Sequence, residues 1–318
     1  MSRISNFDEY NPSGLSYGGH GGSKKGIIIN NERWFLKYPK ATDSMEKVFV
    51  SYTTTPISEY IGSHIYETIG IETHETLLGT SNNKIVVACK DFLNDYEVIL
   101  DYNMIKNEYD QKIEEEIRNM SSSSKNTEDD LEEVNVIMNN NIYFQKIPKL
   151  KERFWDMFII DALINNNDRN EGNWGLVLNK NTGNLRITPI YDNGAAFFNK
   201  MDEDKCNSLL SDTRKFKQTA YDSAISKFRK EGKIINPLKY IESMETTDCN
   251  DALIRIVPKI DLNKIKNIFN EIPEEINGIK TISNQQKEVY YKILEYRFNN
   301  ILLPTYKKIV KWNSNIYK

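Results

Sequence analysis

Asn165-Asn166-Asn167-Asp168-Arg169-Asn170-Glu171-Gly172-Asn173 is the stretch on which the reading of this chain turns. It follows Phe154 to Leu163, an apolar run that reads as a buried helix. Asp168 and Asn173 stand five residues apart. Beyond them, Trp174-Gly175-Leu176-Val177-Leu178 is apolar and strand-like, and Asn179 to Asn184 is a turn. Leu185-Arg186-Ile187-Thr188-Pro189-Ile190-Tyr191 is a second strand, ending at Asp192-Asn193-Gly194. A hairpin over these segments sets its two ends side by side, which returns Asn173 to the neighbourhood of Asp192.

Two carboxylates and an amide gathered in this way suit phosphoryl transfer. One carboxylate orients an acceptor hydroxyl and takes its proton. The amide oxygen and the other carboxylate are hard ligands for magnesium, which binds through one or two protein groups plus phosphate oxygens. The Asp-to-Asn spacing and the Asp-x-Gly form are those of the protein-kinase catalytic loop and metal-binding motif. Asp and Asn are common turn residues, so the spacing alone means little. The three groups together, behind an apolar helix and around a hairpin, are far more specific. The expectation is that Asp168 is the catalytic base and that Asn173 and Asp192 hold Mg2+.

The amino-terminal segment should then hold ATP. Gly18, Gly19, Gly21, Gly22 and Ser23 form a glycine loop ahead of a strand, where backbone N–H groups can approach phosphates closely. Its spacing is neither Gly-x-Gly-x-x-Gly nor a Walker loop, and a plain flexible loop is an equal reading. Two apolar runs, Ile27-Ile28-Ile29 and Trp34-Phe35-Leu36, flank Asn30-Asn31-Glu32 and predict a hairpin. Lys37 closes the second strand and is placed to meet the α- and β-phosphates, with Lys40 beyond Pro39 as a rival. Pro56 to Ile69 has helical spacing with Gly70 as a stop, and Glu59 near its start is the expected partner of Lys37. Strands are expected at Thr76 to Leu78 and Lys84 to Cys89. Lys90, Asp91 and Phe92 then fall where a hinge offers backbone groups to adenine.

The order of elements predicts an α+β, bilobal, protein-kinase-like fold. Residues 1–98 form an antiparallel-sheet lobe with one helix, 99–149 an acidic, Ser-rich insert and connector, and 150–318 a mainly helical catalytic lobe. The insert, around Ser121 to Ser124 and Glu128 to Glu133, carries no chemistry of its own. Asp251 to Ile268 and Gln286 to Trp312 read as helical, with Pro304 breaking or kinking the last helix. With 39% hydrophobic residues the 318-residue chain can build real cores, and its net charge of −3 gives no nucleic-acid footprint. No apolar run of membrane-spanning length and no signal peptide is present, which predicts a cytoplasmic protein. Cys89, Cys206 and Cys249 read as buried or idle thiols, and His20, His64 and His74 have no metal-ligand spacing.

These residues resemble the HipA-like kinases, and within them the CtkA-type, cell-translocating, proinflammatory members. The resemblance spans about residues 10–270. It rests on Tyr17-Gly18-Gly19, Leu36-Lys37-Tyr38-Pro39, Ser58-Glu59-Tyr60, His74 to Thr80, Lys84 to Phe92, Phe154 to Phe158, Asp168 to Gly175, and Asp251 to Ile256. It implies a bilobal kinase fold, ATP with magnesium, autophosphorylation, and transfer to serine or threonine of a protein substrate. Ser23 is the candidate site of autophosphorylation. Family members often carry His two residues after the base, where this chain has Asn170. An antitoxin or a host protein as partner, and delivery from a bacterium to a host cell, are implied by the resemblance alone. With the glycine loop near residue 20, the extra amino-terminal subdomain of HipA toxins is not expected, which weakens the antitoxin expectation. Two rival readings share these motifs. One is a lipid kinase of the type II phosphatidylinositol 4-kinase kind, disfavoured by the lack of a Cys-rich acylation segment. The other is a nucleotide-binding pseudokinase acting as an interaction module.

Overall fold

Asn-Asn pairs set the turns of the first sheet. Asn30 and Asn31 have φ of 51° and 64°, and Asn82 and Asn83 have φ of 50° and 54°. Two successive left-handed residues match the right-handed twist of a tight hairpin, and Asn tolerates that conformation. Around the turns, a computed structural model of the chain, describing residues 5–15, 17, 24–46, 48, 50–108 and 130–316, shows five strands. They are β1 (Ser5–Asn6), β2 (Lys24–Ile29), β3 (Glu32–Lys37), β4 (Thr76–Ser81) and β5 (Lys84–Lys90), in the order β1-β4-β5-β3-β2. All pairings are antiparallel except β1 with β4, so a short parallel strand edges the expected antiparallel sheet. Phe7, Ile27, Ile29, Trp34, Leu36, Val86 and Ala88 form a buried cluster on this sheet. The hairpin register sets Lys24 opposite Lys37.

The helix α1 (Thr55–Thr68) begins with Pro56 in its first turn, where a missing N–H costs nothing. It stops where Gly70, at φ 80°, donates its N–H to the Glu67 carbonyl. Ile57, Tyr60, Ile61, Ile65 and Tyr66 bury its apolar face, and Glu59 is buried with them. The chain divides into two compact units, and this one combines Met1–Phe92 with Pro189–Ala220 and Ile260–Tyr296.

The other unit consists of Leu93–Thr188, Tyr221–Lys259 and Arg297–Lys318. Both units are therefore discontinuous, unlike the three consecutive segments read from the sequence. The reason is visible in β6 (Glu97–Asp101), which crosses the expected boundary at residue 98 and pairs with β7 (Gly175–Asn179). The strand β8 (Leu185–Ile187) completes an antiparallel three-stranded sheet, so the hairpin expected after Asn173 forms. The helix α2 (Lys149–Ile164) supplies the buried residues Phe154, Trp155, Phe158, Ile159 and Ile160. Residues 109–129 of the expected insert lie outside the described residues.

Two helical expectations need correction. Asp251 to Ile268 is not one helix. The helix Thr247–Ile256 gives way to a tight turn, Val257–Lys259, and a new helix spans Leu262–Glu271. Pro258 has no N–H to continue the first helix, and Asp261 caps the second by accepting from Asn263 and Lys264. Pro304 does not break the last helix either. The widened turn Phe298–Leu302 precedes Leu303–Ile316, so the chain stays helical past the proline's missing donor.

Candidate active site

Lys37, the last residue of β3, meets two carboxylates. Its Nζ lies 2.9 Å from Glu59 Oε2 and 2.9 Å from Asp192 Oδ1. Glu59 is fully buried in α1, and its other oxygen lies 2.9 Å from His74 Nε2. Burial works against the charge of Lys37, but Asp192 and Glu59 outweigh it and raise its pKa. Burial likewise opposes the charge of Glu59, and Lys37 with His74 overcomes it, so its carboxyl is held well below the ordinary range. The pair is therefore ionised.

The segment carrying Asp192 is pinned to the same unit by backbone bonds. His74 N–H donates to the Ile190 carbonyl at 3.0 Å, and Ile190 N–H donates to the Glu72 carbonyl at 2.9 Å. Asp192 itself is left-handed, at φ 61°, and exposed. Asn193 is buried and donates to Ser63 Oγ of α1 at 3.1 Å. Gly194 approaches α1 so closely that a Cβ there would stand 2.6 Å from Thr55 Cγ2 and 3.3 Å from Glu59 Oε2. Asn199 Nδ2 donates to the Gly194 carbonyl at 2.6 Å. The glycine of Asp192-Asn193-Gly194 is thus a packing requirement of this turn on the helix that carries Glu59.

Lys24 was not among the expected site residues. It lies opposite Lys37, is half-buried, and burial together with the Lys37 charge lowers its pKa. A strand pairing between two lysines separated only by a hairpin was the signal in the sequence. Gly18, Gly19, Gly21, Gly22 and Ser23 lie outside the described residues. Just before them, Tyr17 packs its ring 4.8 Å from Phe35 and donates to Asp91 Oδ2 at 3.1 Å. Burial and that carboxylate push its phenol up to about 12. Lys40, the rival cation, is exposed.

The expected hinge residues are largely engaged already. Lys90 N–H donates to the Glu75 carbonyl and Asp91 N–H to the Arg33 carbonyl, both at 2.9 Å, so neither N–H is available to a base in this arrangement. The Lys90 ammonium pairs with Glu32 at 2.7 Å, and the Phe92 ring centroid lies 5.6 Å from that of Tyr191.

In the second unit the loop after α2 is held from within. Asn165 ends the helix in a left-handed conformation, at φ 60°. The buried Arg297 donates to the Ala162 carbonyl at 2.9 Å and to Asn165 Oδ1 at 2.8 Å, closing the helix end. Arg169, also buried, grips Asp161 of α2 through two N–H groups at 2.8 and 3.1 Å and reaches the Asn173 carbonyl at 3.4 Å. Such a bidentate pair fixes geometry as well as charge. Asp168, next to Arg169, is exposed. Asn173 Nδ2 donates to the Asp168 carbonyl at 3.2 Å, which leaves Oδ1 as the side chain's acceptor atom. Asn170, at the position where the resemblance suggests histidine, donates to the Asp168 carbonyl and accepts from Gly172 N–H. It is a loop brace here. The structure thus brings Lys37, Glu59 and Asp192 together in one unit, and Asp168 and Asn173 together in the other. Asp161, Arg169 and Arg297 were missed because their contacts are not part of any spacing pattern.

No protein-family model matches the chain. A curated relative, the serine/threonine-protein kinase CtkA of Helicobacter pylori, is 35% identical over 298 residues, which cover 93% of this chain and 85% of the relative. The crystal structure of a Helicobacter pylori proinflammatory kinase CtkA matches with a TM-score of 0.80 and 32% identity, over 96% of this chain and 97% of that one. A HipA of Shewanella oneidensis, solved with HipB and operator DNA, gives a TM-score of 0.47 at 10% identity, over 94% of this chain and 70% of that one. The extent of the first two matches, together with the α+β fold and the two constellations described, assigns this chain to the CtkA family of serine/threonine-protein kinases, with their kinase-like fold and phosphotransferase class.

Proposed function

We propose that this chain transfers the γ-phosphoryl group of ATP to a serine or threonine hydroxyl of a protein, and that it also phosphorylates itself. The observation that carries the reading is Lys37, held ionised between Glu59 and Asp192. An ammonium fixed in that way is oriented for phosphate oxygens without a further loss of side-chain freedom. Asp168 accepts the proton of the acceptor hydroxyl. Its exposure suits it to meet a bulky protein substrate. Arg169, locked on Asp161, holds the loop that carries Asp168.

The donor set also suits magnesium, a hard cation that prefers oxygen. Asp192 offers an exposed carboxylate, and Asn173 offers Oδ1 because its nitrogen is committed to the Asp168 carbonyl. Bound magnesium would supply charge neutralisation on the β- and γ-phosphates. To serve it, Asp192 must relinquish Lys37, which remains ion-paired to Glu59. Lys37 is then free on one side to meet phosphate. Gly18, Gly19, Gly21, Gly22 and Ser23 cover the phosphates in this reading, with Ser23 as the autophosphorylation site. The chain around Lys90, Asp91 and Phe92 borders the base. Acceptor proteins in the cytoplasm of the producing bacterium, or in a host cell after delivery, complete the proposal. No helix among the described residues is long and apolar enough to cross a membrane.

Labelled ATP and Mg2+ with the purified chain, a generic protein acceptor and phosphoinositide vesicles, beside Asp168→Asn, test this. Label on serine or threonine of protein, lost in the variant, is expected. Label on lipid alone would move the assignment to a lipid kinase. Nucleotide binding without transfer would make the chain an interaction module.

A further inference from the structure

Glu59, His74 and Cys89 come from α1, the approach to β4, and the end of β5, and they meet behind Lys37. A Glu59 carboxylate oxygen, a His74 ring nitrogen and Cys89 Sγ all lie within 4.8 Å of one another, and all three side chains are buried. Neither ring nitrogen of His74, nor Glu59 Oε1, has a hydrogen-bond partner of acceptable geometry among the described residues. His74 Nε2 and Glu59 Oε1 are 2.9 Å apart but poorly aligned. Buried polar atoms without partners are costly, and each such atom calls for an explanation. Here three different ligand types lie within 4.8 Å of one another.

We propose that Glu59, His74 and Cys89 form a binding site for Zn2+ or a similar soft divalent cation, and that occupancy withdraws Glu59 from Lys37 and stops phosphoryl transfer. Carboxylate oxygen, imidazole nitrogen and thiolate sulfur are the ordinary zinc donors, and three protein ligands with an open fourth position are a common zinc arrangement. Bond lengths of about 2.0–2.3 Å require the ligand atoms to close in slightly around the ion. Magnesium does not compete, since it prefers oxygen donors and near-octahedral geometry. In the free protein burial raises the pKa of the Cys89 thiol, so it stays protonated. On uptake the Zn–S bond replaces the S–H bond, and one proton passes to solvent per ion. Glu59 then shares its negative charge with a dication, and the ion pair that orients Lys37 weakens. The inhibitory half rests on the proposed role of Lys37; the binding half does not.

Co2+ titrated into the purified full chain, with no nucleotide present, tests the binding half. A saturable thiolate-to-cobalt absorption at one equivalent, bleached by Zn2+, is expected. It should vanish in Cys89→Ser, weaken by at least about tenfold in His74→Gln, and survive in Cys206→Ser and Cys249→Ser, whose thiols are also buried and free. No thiolate band, or one that persists in both Cys89→Ser and His74→Gln, overturns the site. Transfer from Mg-ATP is then measured with and without one equivalent of Zn2+. Inhibition of the natural chain but not of Cys89→Ser supports the switch. Zn2+ that binds and leaves transfer unchanged overturns it. A chain that takes up cobalt but transfers no phosphate under any condition sinks the kinase mechanism instead, while the metal site stands.

Discussion

Glu59 is completely buried, and its Oε2 lies 2.9 Å from the Lys37 ammonium, closing strand β3 against helix α1. Removing Glu59 takes away the buried counter-ion of Lys37 and leaves the exposed Asp192 carboxylate to hold it. Glu59→Gln should therefore destabilise the protein by about 3–5 kcal/mol. Denaturant unfolding of the two proteins checks this, and a loss under about 1 kcal/mol would show that the pair behaves as a surface ion pair.

The same pair fixes a pH dependence. The Glu59 pKa is depressed in the folded state, so its contribution is complete above the ordinary glutamate value of 4.5 and is lost as pH falls toward the folded pKa. The Lys37 pKa is raised, so its contribution is complete below 10.5 and is lost only as pH rises toward the folded pKa. Unfolding measured from about pH 7 down to pH 3 should show the gap between natural chain and Glu59→Gln narrowing below about pH 4.5. A gap that widens with acid contradicts the assignment.

Asp168→Asn should lower the transfer rate by about 10²–10⁴-fold, the usual contribution of a positioned base. Asp168 is exposed, so thermal stability and ATP affinity should be nearly unchanged. Calorimetric nucleotide binding beside a single-turnover assay separates the two effects.

Arg169→Lys tests whether the loop needs a planar fork. Lysine keeps the charge but cannot reproduce two parallel bonds to Asp161. The turnover number should fall about tenfold or more, as expected when reacting groups lose their alignment. The KM for ATP should move less, because Lys37 and the glycine loop are untouched. Equal loss in an Asp161→Asn variant would tie the effect to this contact.

Gly194→Ala adds a Cβ that would stand 2.6 Å from Thr55 Cγ2. Overpacking of this kind costs about 1–3 kcal/mol. The variant should melt earlier and transfer more slowly, because the turn bearing Asp192 is forced away from α1. A melting curve and a rate at matched temperature check both.

Local chemistry was legible in the chain. Asn30-Asn31 between two apolar runs announced the first hairpin, Pro56 and Gly70 bracketed α1, and an apolar helix followed by Asp168 and Asn173 marked the loop. These features depend on neighbours within a few residues, which a sequence displays directly. Less was legible where a proline met a helix. Pro258 ended one and Pro304 did not, because neighbouring turns can widen to absorb a missing donor.

The amino-acid sequence alone determined that Lys37 ends a strand, that Glu59 lies early in a helix, and that Asp168 and Asn173 share one short loop. Tertiary structure alone decided that His74 and Cys89 stand beside Glu59, that Arg169 clasps Asp161, and that Arg297 closes the helix ahead of the loop. The physical reason is range. Strand, turn and helix identities follow from local backbone preference, whereas these contacts join residues set by strand register and helix packing. Each exists only once burial of the core has offset the entropy of bringing distant segments together.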